Sequence, residues 1–254
     1  MRSLLGLITL PSAMLSALAG CASGTAADPA DDPADDVATE AAAGTSGYFA
    51  IRADFRKCGS PACGGWFVSR VNQATTRCHD GSIAAACYTP VIDWSQAGLT
   101  EDQQTAMIQE CSHSTLSGSV YAVVRGQFAR RNTTTPRPDL GRFVLTEAWL
   151  AEGDAPSSGA FVQLRDNGVR CFAAPCPSIT ETTLNLGTAT SIAAIDWTPS
   201  GMSDDLIAEC TGDLFTPDGL LVVGDPTTMI QNGTAASART VTVAYERLAP
   251  QPTR

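Results

Sequence analysis

Nine cysteines are the residues of this 254-residue chain best equipped for chemistry, and their compartment decides which chemistry. The chain opens with Arg2, an apolar run over residues 4–18 interrupted by Pro11, and the small residues Ala19 and Gly20 ahead of Cys21. That run is short of the roughly 20 residues a bilayer-spanning helix needs. It has the layout of a cleaved export signal. With Cys21 set aside, Cys58, Cys63, Cys78, Cys87, Cys111, Cys171, Cys176 and Cys210 remain. An even number in an oxidising compartment reads as disulfides before metal. Zinc is the weaker reading, because the short spacings are x4 and x8 and only His79 and His113 offer imidazoles.

Other chemistries have less to draw on. The chain carries no Gly-x-Ser-x-Gly, no His-Glu-x-x-His and no Gly-rich phosphate loop. Neither a catalytic residue nor a cofactor or metal is therefore expected, and the chain reads as a non-enzyme. His79, beside Cys78, and His113, two residues after Cys111, read as isolated surface histidines. Asp93 and Asp196 precede Trp94 and Trp197 and would suggest paired carboxylates. The structural reading is preferred: each aspartate accepts turn amides ahead of Gly98 or Gly201, and each tryptophan fills the core. Arg130 and Arg131, followed by residues 132–136 (NTTTP), read as a solvated loop. The best-displayed surface is the loop Cys171-Phe172-Ala173-Ala174-Pro175-Cys176-Pro177. Closed by a bridge and stiffened by prolines, it would lose little entropy on docking to an envelope or extracellular protein. Plain packing is the commoner use of such loops.

Leu18-Ala19-Gly20-Cys21 resembles the lipobox of bacterial lipoproteins position by position. The resemblance implies cleavage before Cys21, a diacylglyceryl group on its thiol and often an acylated amine. More than one acyl chain gives stable attachment, so the lipid bilayer is an expected partner. Residues 1–20 are then the signal, and 21–46 the anchor and tether. Residues 22–46 hold six acids (Asp28, Asp31, Asp32, Asp35, Asp36, Glu40), no base and no aromatic. Such a segment is expected to stay disordered and to reach about 27 Å root-mean-square. Ala22 and Ser23, with no aspartate after the anchor, point to the outer membrane of a two-membrane cell. The net charge is −10; without Arg2 and the six tether acids it is −5, with the bases scattered. That excludes a nucleic-acid footprint and reads as a solubility feature.

Stepping along the remaining residues, one plan recurs. Arg56-Lys57-Cys58-Gly59-Ser60-Pro61-Ala62-Cys63 answers to Val169-Arg170-Cys171-Phe172-Ala173-Ala174-Pro175-Cys176. Ile92-Asp93-Trp94 answers to Ile195-Asp196-Trp197, and Met107-Ile108-Gln109-Glu110-Cys111 to Leu206-Ile207-Ala208-Glu209-Cys210. Alternating segments 143–151 and 241–249 both finish in Leu-Ala. The offsets run 113, 103, 99 and 98, the largest step falling where only the first copy carries Cys78 and Cys87. Two repeats follow, residues 47–152 and 153–254. Phe49, Ile51 and Phe55 share one side of a strand, as do Val241, Val243 and Tyr245, and residues 118–124 and 219–224 read as buried strands. Thr100 with Gln103 forms a capping box, and Ser203 caps a second helix with Asp204 and Asp205 in its first turn. The expected class is β-rich α+β: two tandem related lobes, each mostly antiparallel with one short helix, disulfide-stapled.

Of on the order of a hundred possible pairings, the preferred set is Cys58–Cys63, Cys78–Cys87, Cys171–Cys176 and Cys111–Cys210. The last would join equivalent helix positions across an axis between the lobes. Lipobox, acidic tether, Arg-Cys-x4-Cys with an internal proline, and Ile-Asp-Trp-[Ser/Thr]-x-x-Gly together resemble a family of bacterial lipoproteins, domain of unknown function 6748. The likeness covers residues 47 to 249 as two copies. It implies location and architecture and brings no activity, so a binding module displaying the 171–177 loop is the expected function, a structural envelope lipoprotein the alternative, and a protease inhibitor or a hydrolase the weaker readings.

Overall fold

Alternating apolar and polar residues lay most of the chain down as strands. The computed structural model describes residues 45–113, 119–130, 139–153 and 156–248, all within one compact unit, Glu40–Arg254. Cys21, residues 22–44 of the tether, and the loop residues 131–136 lie outside the described residues. In chain order the elements are β1 (Gly47–Ala53), β2 (Trp66–Arg70), β3 (Thr76–Arg77), β4 (Ile83–Ala84), β5 (Cys87–Thr89), β6 (Ile92–Asp93) and helix α1 (Glu101–His113). Then come β7 (Ala122–Ala129), β8 (Arg142–Glu152), β9 (Ala160–Asp166), β10 (Ile179–Thr183), β11 (Ala189–Ile192) and β12 (Ala194–Asp196). A 3-10 turn (Thr198–Ser200), helix α2 (Asp204–Asp213), β13 (Leu220–Gln231) and β14 (Thr234–Arg247) complete the set. The fold is β-rich and mostly antiparallel, with two α-helices and three disulfides among the described residues.

Twelve strands join in one sheet, whose path runs β11-β10-β9-β13-β14-β8-β7-β1-β2-β5. The boundary expected near residue 152 falls inside this sheet, where β8 pairs with β14 through Ala244↔Glu152 to Arg247↔Trp149. From that seam the sheet continues through β13, β9, β10 and β11 on one side and through β7, β1, β2 and β5 on the other. Two short strands pair parallel, β6 with β8 and β12 with β14. β3 and β4 form a separate finger, tied to β5 by Cys78–Cys87.

Three apolar clusters divide the core. Phe49, Ile51, Val68, Met107, Cys111, Phe143 and Leu145 belong to the first, and Val162, Leu164, Cys210, Val222 and Val241 to the second. The third draws on both halves of the chain: Val71, Val123 and Trp149 pack with Leu184, Leu221, Val243 and Tyr245. Burial of this kind stabilises by roughly 25 cal/mol per Å² of apolar surface, so the third cluster makes each half depend on the other.

Two asparagines stitch the halves together across that cluster. Asn72 accepts from the Phe161 amide (2.9 Å) and donates to the carbonyls of Phe161 (2.7 Å) and Leu184 (3.0 Å). Asn185 accepts from the Tyr48 amide (2.9 Å) and donates to the carbonyls of Tyr48 (2.7 Å) and Val71 (2.9 Å). Both occupy the left-handed region, at φ 59° and 63°, which asparagine tolerates better than most residues.

Some sequence expectations change in detail. The capping box forms, with Thr100 N–H donating to Gln103 Oε1 and Gln103 N–H to Thr100 Oγ1. Ser203 Oγ accepts from Leu206 N–H. Met107 and Cys111 face inward, but Ile108 stands 41 % exposed, because a residue one step along a helix turns about 100° away. Phe55 lies beyond the end of β1 and is exposed. Val241 does not share a face with Val243 and Tyr245. A register shift at Val223/Gly224 leaves Thr242 as the extra residue, which flips Val241 into the second cluster. The same irregularity sits at Arg125/Gly126 opposite Thr146. Each threonine hydroxyl donates to the carbonyl preceding the glycine, that of Arg125 or of Val223.

Candidate functional site

Two bridge-closed loops follow β1 and β9, and their surroundings set them apart. The Cys58–Cys63 loop is clamped. Arg56 makes a forked contact with Asp54 (2.9–3.1 Å) and donates to Ala62 O (3.1 Å). Its guanidinium lies over the rings of Phe67 (5.0 Å) and Tyr88 (5.1 Å). The Tyr88 hydroxyl closes the clamp by donating to Pro61 O (2.6 Å). Tyr88 sits on β5, beside Cys87, so the cysteine finger present only in the first half supplies this lid.

The Cys171–Cys176 loop is fastened at its base and bare at its tip. Arg170 pairs with Asp166 through two contacts of 2.8 and 2.9 Å, and this holds the Asp166 carboxyl below its ordinary range. Asn167 accepts from Val169 N–H and donates to Pro177 O (both 2.9 Å). Beyond that base, Phe172, Ala173 and Ala174 are exposed and Pro175 is half-buried. Phe172 is fully solvent-exposed, and Val169 and Phe215 are exposed apolar side chains as well. A single exposed leucine or phenylalanine is ordinary; a fully exposed aromatic on a bridge-closed tip is a displayed one.

The remaining cysteines depart from the expected pairing. Cys111 and Cys210 are buried thiols, not bridged to one another. Cys111 packs in the first cluster and Cys210 in the second, so the helix positions face separate cores instead of meeting across an axis. Burial pushes both thiols up to about 12, helped by Glu110 at Cys111 and by Glu152 and other carboxylates at Cys210. Thiols so protonated are poor nucleophiles at neutral pH.

Asp93 and Asp196 behave as turn acceptors. Asp93 Oδ1 receives Ser95 N–H and Asp196 Oδ1 receives Thr198 N–H, each at 3.0 Å, and Gly98 and Gly201 take φ 65° and 66°. Trp94 and Trp197 pack against different clusters, so the two carboxylates do not form one site. His79 is half-buried instead of solvated: its ring packs on Gly141, and Nε2 contacts Asp139 O at 2.8 Å. The side chain of His113 lies outside the described residues.

An acidic pocket at the seam has no counterpart among the sequence motifs. A cavity of about 200 Å³ is lined by Glu152, Leu206, Glu209, Cys210, Asp213 and Glu246. Burial raises the Glu152 carboxyl above its ordinary range, and Glu246 adds a shared hydrogen bond and its charge. Burial raises Asp213 likewise, with Glu246 and Glu209 adding to it. Among the described residues no group of three or more His, Cys, Asp or Glu is arranged to hold a metal ion. These acids come from β8, α2 and β14, which no local motif links.

A family model described as Domain of unknown function (DUF6748) matches residues 47–248, and the chain belongs to that family. No curated protein and no solved structure matches it.

Proposed function

We propose that this family member is an exported lipoprotein, held in a bilayer through acylated Cys21, whose folded unit is a recognition module presenting the Cys171–Cys176 loop to an envelope or extracellular protein. The carrying observation is the fully exposed Phe172 on a bridge-closed tip, in contrast to the Cys58–Cys63 loop, which Arg56 and Tyr88 clamp down. Residues Leu18-Ala19-Gly20-Cys21 support the anchor, and residues 22–46 support a solvated tether. Ala22 and Ser23 favour the outer membrane. Binding and not catalysis is the expected role, on the same ground as in the sequence: no nucleophile-and-base set, no His-Glu-x-x-His and no phosphate loop is present to carry a reaction.

The folded unit reads as two copies of one β-rich plan. Three pairs of features support this: the reciprocal contacts of Asn72 and Asn185, the paired glycine irregularities, and the sheet order on either side of the β8–β14 seam. On that reading the second copy, lacking a cysteine finger, has left its loop open for docking.

Replacement of Cys21 by serine should release the protein from membranes or leave it unprocessed, read by fractionation; unchanged attachment would remove the anchor from the account. Phe172→Ala and Pro175→Ala in the full chain should each abolish recovery of a partner that the parent chain retains. Identical partners for parent and variants would argue against the loop.

A further inference from the structure

We infer that the second half of the chain carries a binding site for a small organic ammonium ion with an apolar tail. The site is an open cleft of about 410 Å³ whose lining includes Asp196, Trp197, Met202, Asp204, Ile207 and Met229. That volume falls in the range of about 300–1,000 Å³ typical of small-ligand sites. Its apolar walls are an indole, two thioethers and two isoleucines, Ile195 and Ile207, surfaces suited to a polarisable or apolar group. Its charges are all negative, and an ammonium over the face of a tryptophan is attracted by the ring as well.

The charge of Asp196 separates this cavity from its counterpart around Asp93. In the first half Arg142 faces Asp93 at 3.6 Å. The parallel pairing sets Ile92 opposite Phe143 and Ile195 opposite Arg239, so the place of Arg142 is taken by Ala238. Arg239 does not substitute for it: the side chain turns into the sheet to pair with buried Glu181 and donates to Gly224 O (2.8 Å). Among the described residues no arginine or lysine pairs with Asp196, whose Oδ1 is engaged only by the Thr198 amide. Asp204 contributes less, because it sits in the first turn of α2 at the positive end of the helix dipole. Asp196 is thus the counter-charge and Trp197 the platform. The comparison with Asp93 rests on the two-copy reading, whereas the cavity stands without it.

The probe is phenethylammonium, titrated into the full chain in a non-ionic detergent and followed by calorimetry and tryptophan fluorescence. One saturable site is expected. Phenethyl alcohol, matched in shape and uncharged, should bind at least tenfold more weakly. Asp196→Asn keeps the turn acceptor and should weaken the ammonium at least tenfold, while Asp93→Asn should change it less than twofold. Met229→Lys, which places a cation in the lining, should abolish binding in a chain whose near-ultraviolet circular dichroism is unchanged. Phe172→Ala should leave this binding intact, which keeps the test separate from that of the loop. Absence of saturation, equal affinity for the alcohol, or equal effects of the Asp93 and Asp196 variants would overturn the site.

Discussion

At Asn185 one side chain satisfies an amide and two carbonyls of the opposite half, and Asn72 returns the same three contacts. Stranding such groups costs about 1–3 kcal/mol each time a partner is removed. Asn185→Gly keeps the left-handed backbone and loses only the contacts, so it should destabilise by roughly 2–3 kcal/mol in urea unfolding. Asn185→Ala should cost about 1 kcal/mol more, through backbone strain. If Asn185→Gly proved neutral, the stitch would not hold the halves. Phe172→Ala, at a fully exposed position, should shift stability by no more than about 0.5 kcal/mol. Cys111 and Cys210 should resist iodoacetamide in the native state and react after unfolding, and mass mapping should find only the bridges 58–63, 78–87 and 171–176. Each of those bridges joins cysteines within one short loop or finger, where spacing speaks directly. The thiols lie on helices, and which core a helix faces is a tertiary fact that their spacing could not convey.

Elements carry the seam and its pH response. Helix α2 brings Glu209 and Asp213 toward Glu152 of β8 and Glu246 of β14. A carboxyl whose pKa is raised on folding opposes the fold when ionised. Glu152 and Asp213 therefore add stability as pH falls through their raised values, and the gain is complete below the unfolded values of about 4. Asp54, Asp93 and Asp166 are shifted the opposite way, so they withdraw stability only as pH falls through their depressed values. Thermal midpoints should accordingly climb from pH 7 towards about 5 and fall below about 4. Glu152→Gln should raise the midpoint at pH 7 and flatten the climb; a variant tracking the parent at every pH would contradict this assignment. Gly224 lies where a Cβ would run into the Thr240 carbonyl, so Gly224→Ala should cost roughly 3 kcal/mol. Caps and strand alternation were legible in the sequence, as Thr100 and Phe49 show. The register shift opposite Thr242 was not, because the extra residue is defined only against its partner strand.

For the whole molecule, the shared third cluster argues that neither half folds alone. Residues 47–152 would leave Tyr48, Val123 and Trp149 uncovered, and residues 153–254 would do the same to Phe161, Val223 and Tyr245. Each fragment should bind a hydrophobic dye and lack a cooperative unfolding transition. A cooperatively folding fragment would make the halves independent. The recurring cysteine, aspartate and helix blocks suggest a repeated plan in sequence, yet the expectation of tandem lobes carried no sign of a common sheet, since strand pairing across residue 152 leaves no spacing signature. Tyr48 and Phe161, or Asn72 and Asn185, could have been matched by the same offset of 113 as the first cysteines, but single residues stand out only once their contacts are known. The display of one loop and the clamping of its counterpart is the claim on which the functional account turns. It is tested most directly by a photo-crosslinking amino acid placed at position 172 and, in a separate chain, at position 60, each in intact cells. The account predicts a discrete cross-linked protein from position 172 and none from position 60. No adduct at 172, or the same adduct from both positions, would contradict it.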